Sequence, residues 1–346
     1  MVNKEEFSAA EFIKTQKKIV PEIIELLMDR YHILRMISYH QPIGRRSLSA
    51  FLQMSERVIR KEVNILKEQE LIEIKAEGMN ITESGYTSLE VLRSFIHIFK
   101  NLNSMEEEIV QKLKIKNVIV VPGFYDEDEL ILREVGKVAS NYFKTILKDH
   151  VIVGVTGGTT MAMVADEMVK ADIKHNVMIV PARGGLGKNA ESQANHITAK
   201  IAKKLNCPYE LLHMPDNISK DLLETLSKDP NTKEVVDYIK KINILLFGIG
   251  RADKMAKRRG LSDEEIEDLN KKCAVAEAFG YYFNLEGKII EEVNTVGVSL
   301  ETYKELKNPI GVAAGREKAQ AIMSISRLNK NLTLIIDEGL AKEILK

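Results

Sequence analysis

Three observations predict an α/β chain of two domains. Before Thr82 the elements run helix, helix, turn, helix, hairpin, the order of a winged helix-turn-helix. After Lys116, short apolar runs alternate with helical patterns, as in a Rossmann-like, mostly parallel sheet covered on both faces. The length, 346 residues, exceeds that of one typical core. The expected divisions are a winged helix-turn-helix over 1–88, a helical linker or oligomerisation segment over 89–115, and the α/β domain over 116–346.

The N-terminal elements follow from local signals. Residues 1 to 20 read as a polar helical lead-in. From Pro21 to His40 the residues Ile23, Ile24, Leu27, Tyr31, Leu34 and Ile37 keep helical spacing. Pro42 stops that helix and Gly44 turns the chain. A short helix, Arg46–Leu52, is expected to turn Leu48, Phe51 and Leu52 inward. Ser55 reads as an N-cap for Glu56–Glu68, which is expected to bury Val58, Ile59, Val63 and Leu66. Leu71–Ile74 and Gly78–Ile81 read as a hairpin, and Thr82 opens a new helix.

Lys+Arg and Asp+Glu both number 50, so the formal net charge is zero and no global field draws the chain to nucleic acid or membrane. Affinity for DNA would have to come from a local patch. One exists: Arg45, Arg46, Arg57, Arg60 and Lys61 accompany a single acid, Glu56. Arg45, Arg46 and Lys61 suit phosphates, while Arg57, Arg60 and Asn64 could reach base edges. Ser55 belongs to the same face. Glu73 and Glu77 make the hairpin a poor backbone binder. The alternative is a protein-interaction domain with a solvated basic face.

Gly85–Lys114 is helical and apolar on one side, with Leu89, Leu92, Ile96, Phe99, Leu102, Ile109 and Leu113. It reads as one or two helices packing between subunits, which would suit a two-fold operator, or within the chain. The two cysteines, Cys207 and Cys273, read as free buried thiols of a reducing cytosol. There is no signal peptide and no apolar run long enough to span a bilayer. A cytoplasmic protein is expected, with no cofactor and no metal.

In the larger domain, strands are expected at Asn117–Val121, Val151–Val155, Val177–Val180, Tyr209–His213, Ile244–Phe247, Ile310–Ala314 and Leu332–Ile336. Helices are expected at Asp128–Leu147, Thr159–Val169 and Ala190–Leu205. Such sheets bind ligands beyond the carboxyl ends of their strands. There the polar, glycine-rich segments fall. Val155 leads into Thr156-Gly157-Gly158-Thr159-Thr160, a glycine turn that opens a helix. First-turn N–H groups lack helical partners, the helix dipole favours negative charge, and glycines admit a ligand to the backbone. The alternative is an ordinary tight turn with Thr159 as N-cap. Val180 leads to Arg183 and Gln193, Phe247 to Arg251, Arg258 and Arg259, and Ala314 to Gly315, Arg316 and Lys318. Four such ends on one sheet point to a dianionic or polyanionic small ligand. Arg251 and Arg316 could instead form salt bridges at helix starts or between subunits.

The segments GVTGGTTMAMVADEM, VPARGGLGKNAESQANHI, LLFGIGRADKMAKRRG and GVAAGREKAQAI resemble the effector domain of the SorC family of bacterial sugar-responsive regulators. The resemblance covers nearly the whole chain. It implies a winged helix-turn-helix plus a Rossmann-like sugar-phosphate-binding domain, in a homo-oligomeric repressor of a glycolytic operon relieved by fructose 1,6-bisphosphate. Residue by residue, it implies that Gly157, Gly158, Thr159 and Thr160 hold one phosphate. Arg183, Gln193, Arg258, Arg259, Glu277 and Lys318 would complete the site. Glu277 would accept sugar hydroxyls, unless it only pairs with one of the arginines.

The implied effector domain is similar in fold to sugar-phosphate isomerases and deaminases, so an enzyme with an appended DNA-binding module is the rival reading. Such chemistry needs an acid/base pair beside the phosphate. Asp166, Asp253 and Glu277 are available, but no histidine lies in a glycine-rich loop, and His196 falls on a helix.

Overall fold

The computed structural model describes residues 18–173, 176–186, 189–215, 220–226, 229–293 and 295–346. The expected lead-in lies mostly outside them. Two units divide the chain, Met1–Leu102 and Asn103–Lys346. The helical stretch expected over 89–115 is shared between them.

The smaller unit contains α1 (Pro21–His40), α2 (Arg45–Leu52), α3 (Glu56–Glu68), the hairpin β1 (Ile72–Lys75) and β2 (Gly78–Ile81), and α4 (Glu83–Phe99). Ile33, Ile37, Leu48, Ile59 and Val63 form its fully buried centre. Ser55 caps α3, its hydroxyl accepting from Val58 N at 3.3 Å. Arg30 on α1 donates to the buried Glu62 of α3 at 2.8 Å. The hairpin is tied back twice: Ile43 and Met79 exchange backbone hydrogen bonds, and Gln41 accepts from Ile81 N at 2.9 Å.

Two expected core residues lie outside this centre. Phe51 is 56% exposed, its ring stacked on His40 at 4.9 Å. Val58 is 40% exposed, because it sits about 100° around the helix from Ile59. Glu62 occupies the inward position instead, held there by Arg30.

The larger unit begins within α5 (Leu102–Leu113). Its main sheet is β3 (Asn117–Val121), β4 (Val151–Val155), β5 (Val177–Pro181), β6 (Ile244–Gly248), β11 (Asn308–Ala313) and β12 (Thr333–Asp337). All neighbours pair in parallel, in the order β3-β12-β11-β6-β4-β5. The strands are rich in Val, Ile and Leu, and β12 is buried along its whole length, as two covered faces require. Around the sheet lie α6 (Leu130–Ile146), α7 (Thr159–Glu167), α8 (Ala194–Leu205), α9 (Lys220–Leu226) and α10 (Pro230–Lys240). The core joins Val135 and Phe143 of α6 to Met161 and Val164 of α7 and Ile197 and Ile201 of α8. From β4 the chain moves out to β5, returns on the other side of β4 as β6, and then steps away through β11 and β12. The reversal opens a crevice between the ends of β4 and β6.

A second, four-stranded antiparallel sheet was not legible in the sequence. Its strands are β7 (Gly250–Arg251), β8 (Ala276–Ala278), β9 (Tyr281–Phe283) and β10 (Ile289–Glu292), in the order β10-β9-β8-β7. Strands of two to four residues, with alanine and glycine in them, carry no usable period. Helices α11 (Ala252–Arg259) and α12 (Asp263–Lys271) share a small core with this sheet through Ala252, Ala256, Ile266, Leu269 and Tyr282. The chain closes with α13 (Leu300–Glu305), α14 (Ala319–Ser326) and α15 (Glu338–Leu345).

Three further expectations are corrected. Tyr209–His213 is not a strand; only Tyr209 bridges Ile179. Asn195 takes both backbone groups of Leu212, at 3.0 Å each, and so removes them from the ladder. Ala190–Leu205 is broken at Gln193 into a 3₁₀ turn, Ala190–Ser192, and α8. Of the two free thiols, Cys273 is exposed at a left-handed position after α12. Cys207 is half-buried, and burial pushes its thiol up to about 11.

Gly85 lies in the first turn of α4, where an added Cβ would strike the Leu71 carbonyl and the Ile81 side chain. Gly85→Ala is expected to destabilise the chain by about 1–3 kcal/mol through overpacking. Urea unfolding checks this; an unchanged midpoint would show that α4 can move away from the hairpin at no cost.

Candidate functional site

The glycine turn after β4 is shaped by two different demands. A Cβ on Gly157 would sit 2.7 Å from the Ser192 carbonyl, so close packing against the 3₁₀ turn requires glycine. Gly158 is the N-cap of α7 with φ +122°, a conformation other residues resist, and a Cβ there would meet nothing within 4 Å. Its N–H donates to the same Ser192 carbonyl at 2.8 Å. Thr159 is therefore the first residue of α7, not its cap, and Thr160 is buried. Thr156 ties the end of β4 to β6: its N–H donates to Leu246 O at 3.0 Å, and its hydroxyl accepts from Gly248 N at 3.2 Å.

Beyond these strand ends lies a cleft of about 610 Å³, within the ordinary range for small-molecule sites. Residues 156–160, Arg183, Gln193, Arg258, Glu277 and Lys318 all line it. The starts of α7 and α8 both reach it, with Thr159 and Thr160 of one and Ala194 of the other in its lining, and helix starts favour anions. Among the described residues five cations line the cleft: Arg183, Arg251, Lys254, Arg258 and Lys318. Two carboxylates do, Glu277 and Glu317, and each is engaged by an arginine. The balance favours an anionic ligand.

Gln193 does more than line the wall. Its amide accepts from Leu186 N at 2.9 Å and donates to Leu186 O at 2.8 Å, clasping the loop after β5. Residues 296–298 cross behind that loop. Gly184 N donates to Val296 O at 2.7 Å and Val298 N to Ala182 O at 2.8 Å, which fixes the backbone of Arg183 from both sides.

The loop after β11 is set by Asp337 at the end of β12. Its two oxygens accept from Gly315 N at 2.9 Å and Tyr125 N at 3.2 Å. Burial pushes the Asp337 carboxyl up, against the pull of those N–H groups. Burial likewise lowers the Lys318 ammonium; Glu317 and Asp337 oppose that shift and Arg258 adds to it. Arg251 forms two hydrogen bonds to Asp253, at 3.0 and 2.7 Å, and one to Glu317. Burial alone would raise the Asp253 carboxyl, but Arg251 outweighs it and holds the group below its usual range. Arg316 donates to Glu127 at 2.9 Å. Both arginines thus make helix-start ion pairs within the chain.

Arg259 is not at the cleft surface. It lies behind Glu277, 2.8 Å away, with side chains 0% and 2% exposed respectively. Asp166, paired with Lys200, and the exposed His196 do not line the cleft. Among the described residues no group of three or more His, Cys, Asp or Glu could hold a metal ion. Sequence reasoning missed Lys254, Tyr125 and Phe279 in the lining. Lys254 had a signal: it precedes Arg258 by one helical turn.

On the smaller unit, Arg57, Arg60, Lys61 and Asn64 are all exposed on α3, with Arg45 and Arg46 exposed at the start of α2. Arg46 lies 3.9 Å from Glu56, and Lys61 3.5 Å from Glu62.

Breaking a buried pair leaves a charge without its partner, at a cost of about 3–5 kcal/mol. Arg259→Met is expected to lose stability on that scale, and Arg259→Met with Glu277→Gln to recover much of it. Urea unfolding of the three proteins measures this; a double variant no better than the single would show that the pair is not coupled.

Comparison with known proteins identifies two family domains along the chain. A family model described as "Putative sugar-binding domain" matches residues 97–346, and the CggR N-terminal DNA binding domain matches residues 26–96. The chain is 39% identical over 336 residues to the central glycolytic genes regulator of Bacillus subtilis, covering 97% of this chain and 99% of that one. It is 40% identical over 336 residues to the protein of the same name from Priestia megaterium, covering 96% and 98%. Among solved structures, one described as a "putative SorC family transcriptional regulator" from Enterococcus faecalis superposes with a TM-score of 0.66 at 37% identity, over 70% of this chain and 100% of that one. The full-length sorbitol operon regulator SorC from Klebsiella pneumoniae shares the fold at a TM-score of 0.67 and 18% identity, over 93% and 99%. With a DNA-binding domain before its sugar-binding domain, the chain belongs to the SorC family of transcriptional regulators.

Proposed function

We propose that this protein represses glycolytic genes and that fructose 1,6-bisphosphate, bound in the cleft, relieves the repression. One observation carries the ligand: two helix starts and five cations face a single cleft at the sheet reversal. Such a site suits a small molecule with two phosphates. The pathway follows from the similarity to two central glycolytic genes regulators.

In this reading Gly157, Gly158, Thr159 and Thr160 receive one phosphate. Arg183, Gln193, Arg258 and Lys318 complete the anion site. Glu277 accepts sugar hydroxyls, and Arg259 positions it from behind. On DNA, Arg45, Arg46 and Lys61 meet phosphates while Ser55, Arg57, Arg60 and Asn64 lie at the groove. The protein works in the cytoplasm as a homo-oligomer, because a two-fold operator needs two copies of α3. The ligand changes operator affinity only by its differential affinity for two arrangements of subunits.

A thermal-unfolding scan with a phosphosugar panel tests the ligand. At about 100 times its dissociation constant, a ligand of the folded state adds roughly 2.7 kcal/mol. Fructose 1,6-bisphosphate is expected to shift the transition more than fructose 6-phosphate, glucose 6-phosphate or inorganic phosphate. A larger shift with a monophosphate would assign the regulator to another pathway. Thr160→Ala and Arg183→Ala are expected to weaken this binding by tenfold or more, about 1.4 kcal/mol, and to leave operator binding intact. Equal loss of both would mark these residues as structural. Operator binding unchanged at saturating bisphosphate would defeat the mechanism.

Lys318 adds a pH dependence. A bound phosphate favours its ammonium, so above the lowered pKa of the empty site, binding takes up a proton. Affinity for the bisphosphate is expected to fall as pH rises through the alkaline range, and less steeply in Lys318→Gln. Titrations at a series of alkaline pH values check this; parallel curves for the two proteins would remove Lys318 from the site.

A further inference from the structure

Helix α3 presents an apolar side chain among its charged ones. Val58 is the third residue of the helix, with its N–H held by the Ser55 cap. The inward face is already supplied by Ile59, Val63 and Leu66, all buried. Val58 stands outside it, 40% exposed, with Lys61, one turn further along, exposed beside it and Arg57 exposed next in the chain. Cations next to it make this a poor seat for an apolar protein surface and a good one for a polyanion. Phe51, another exposed apolar side chain of this unit, is occupied by its stack on His40.

Residues in the first turns of such a helix contact base edges in the major groove. A valine there can neither donate nor accept a hydrogen bond. The one apolar group that a base presents in that groove is the 5-methyl of thymine. The two valine methyls are also stiff at χ1, so little freedom is lost on contact. We propose that Val58 reads a thymine in the operator through its 5-methyl group. This rests on α3 being the base-reading helix, and it adds a specificity determinant that carries no charge.

The test uses the full chain. Binding duplexes are selected from a random-sequence library, and each thymine of the selected site is then replaced by deoxyuridine, which removes the methyl and nothing else. At one position per half-site the replacement is expected to weaken binding about fourfold, the value of one buried methyl group. Val58→Ala is expected to bind thymine and uracil duplexes alike, with the salt dependence of wild type, since no phosphate contact is lost. Val58→Thr, which keeps the shape and one methyl, is expected to retain part of the discrimination and guards against a fault in folding. A selected site in which every thymine tolerates uracil overturns the proposal and leaves α3 as the reader. Sensitivity that persists in Val58→Ala does the same. A selection that returns no preferred sequence overturns both the proposal and the reading of α3.

Discussion

The sheet reversal between β4 and β6 is the constraint on which the cleft depends. Parallel strands leave their backbone groups facing one way at the carboxyl end, and only where neighbouring strands depart in opposite directions is the space above them open. Thr156 stitches that place, donating to Leu246 and accepting from Gly248. The turn that follows can then present both Gly158 and the first turn of α7 to the opening. The 3₁₀ turn before α8 packs so tightly on Gly157 that the two helix starts converge.

Part of the charge at this cleft is held by partners within the chain. Arg251 is held by Asp253 and Glu317, Glu277 by Arg259, and the loop bearing Lys318 by Asp337. Buried ion pairs contribute little net stability, because desolvation offsets most of the attraction. Their use here is geometric. They fix the positions of groups that line the cleft, and a preorganised site loses less freedom on binding. In the smaller unit the Arg30–Glu62 pair has a parallel role, locking the rotation of α3 so that its exposed face is defined.

Much of the fold was legible because it rests on local signals. The Ser55 and Thr82 caps, the 3.6-residue period of α1 and the Val/Ile/Leu runs of the parallel strands act within a few residues of themselves. The errors fall where a distant group intervenes. Asn195 captures the backbone of Leu212, Arg30 draws Glu62 inward, and Gln193 interrupts a helix to clasp Leu186. The short antiparallel strands were invisible because two to four residues show no period, and β7 finds its partner β8 only some 25 residues further along the chain.

By itself, then, the sequence determined the two fold classes, the glycine turn after β4, and the residue types that line the cleft beside it. Each of these depends on backbone dihedrals, helix-end donors and apolar periodicity, which are properties of short segments. Only the tertiary structure decided which cations line the cleft. It placed Lys254 at the wall, set Arg259 behind Glu277, and turned Val58 outward on α3. Those outcomes depend on desolvation and on partners far along the chain, and neither is written in local spacing.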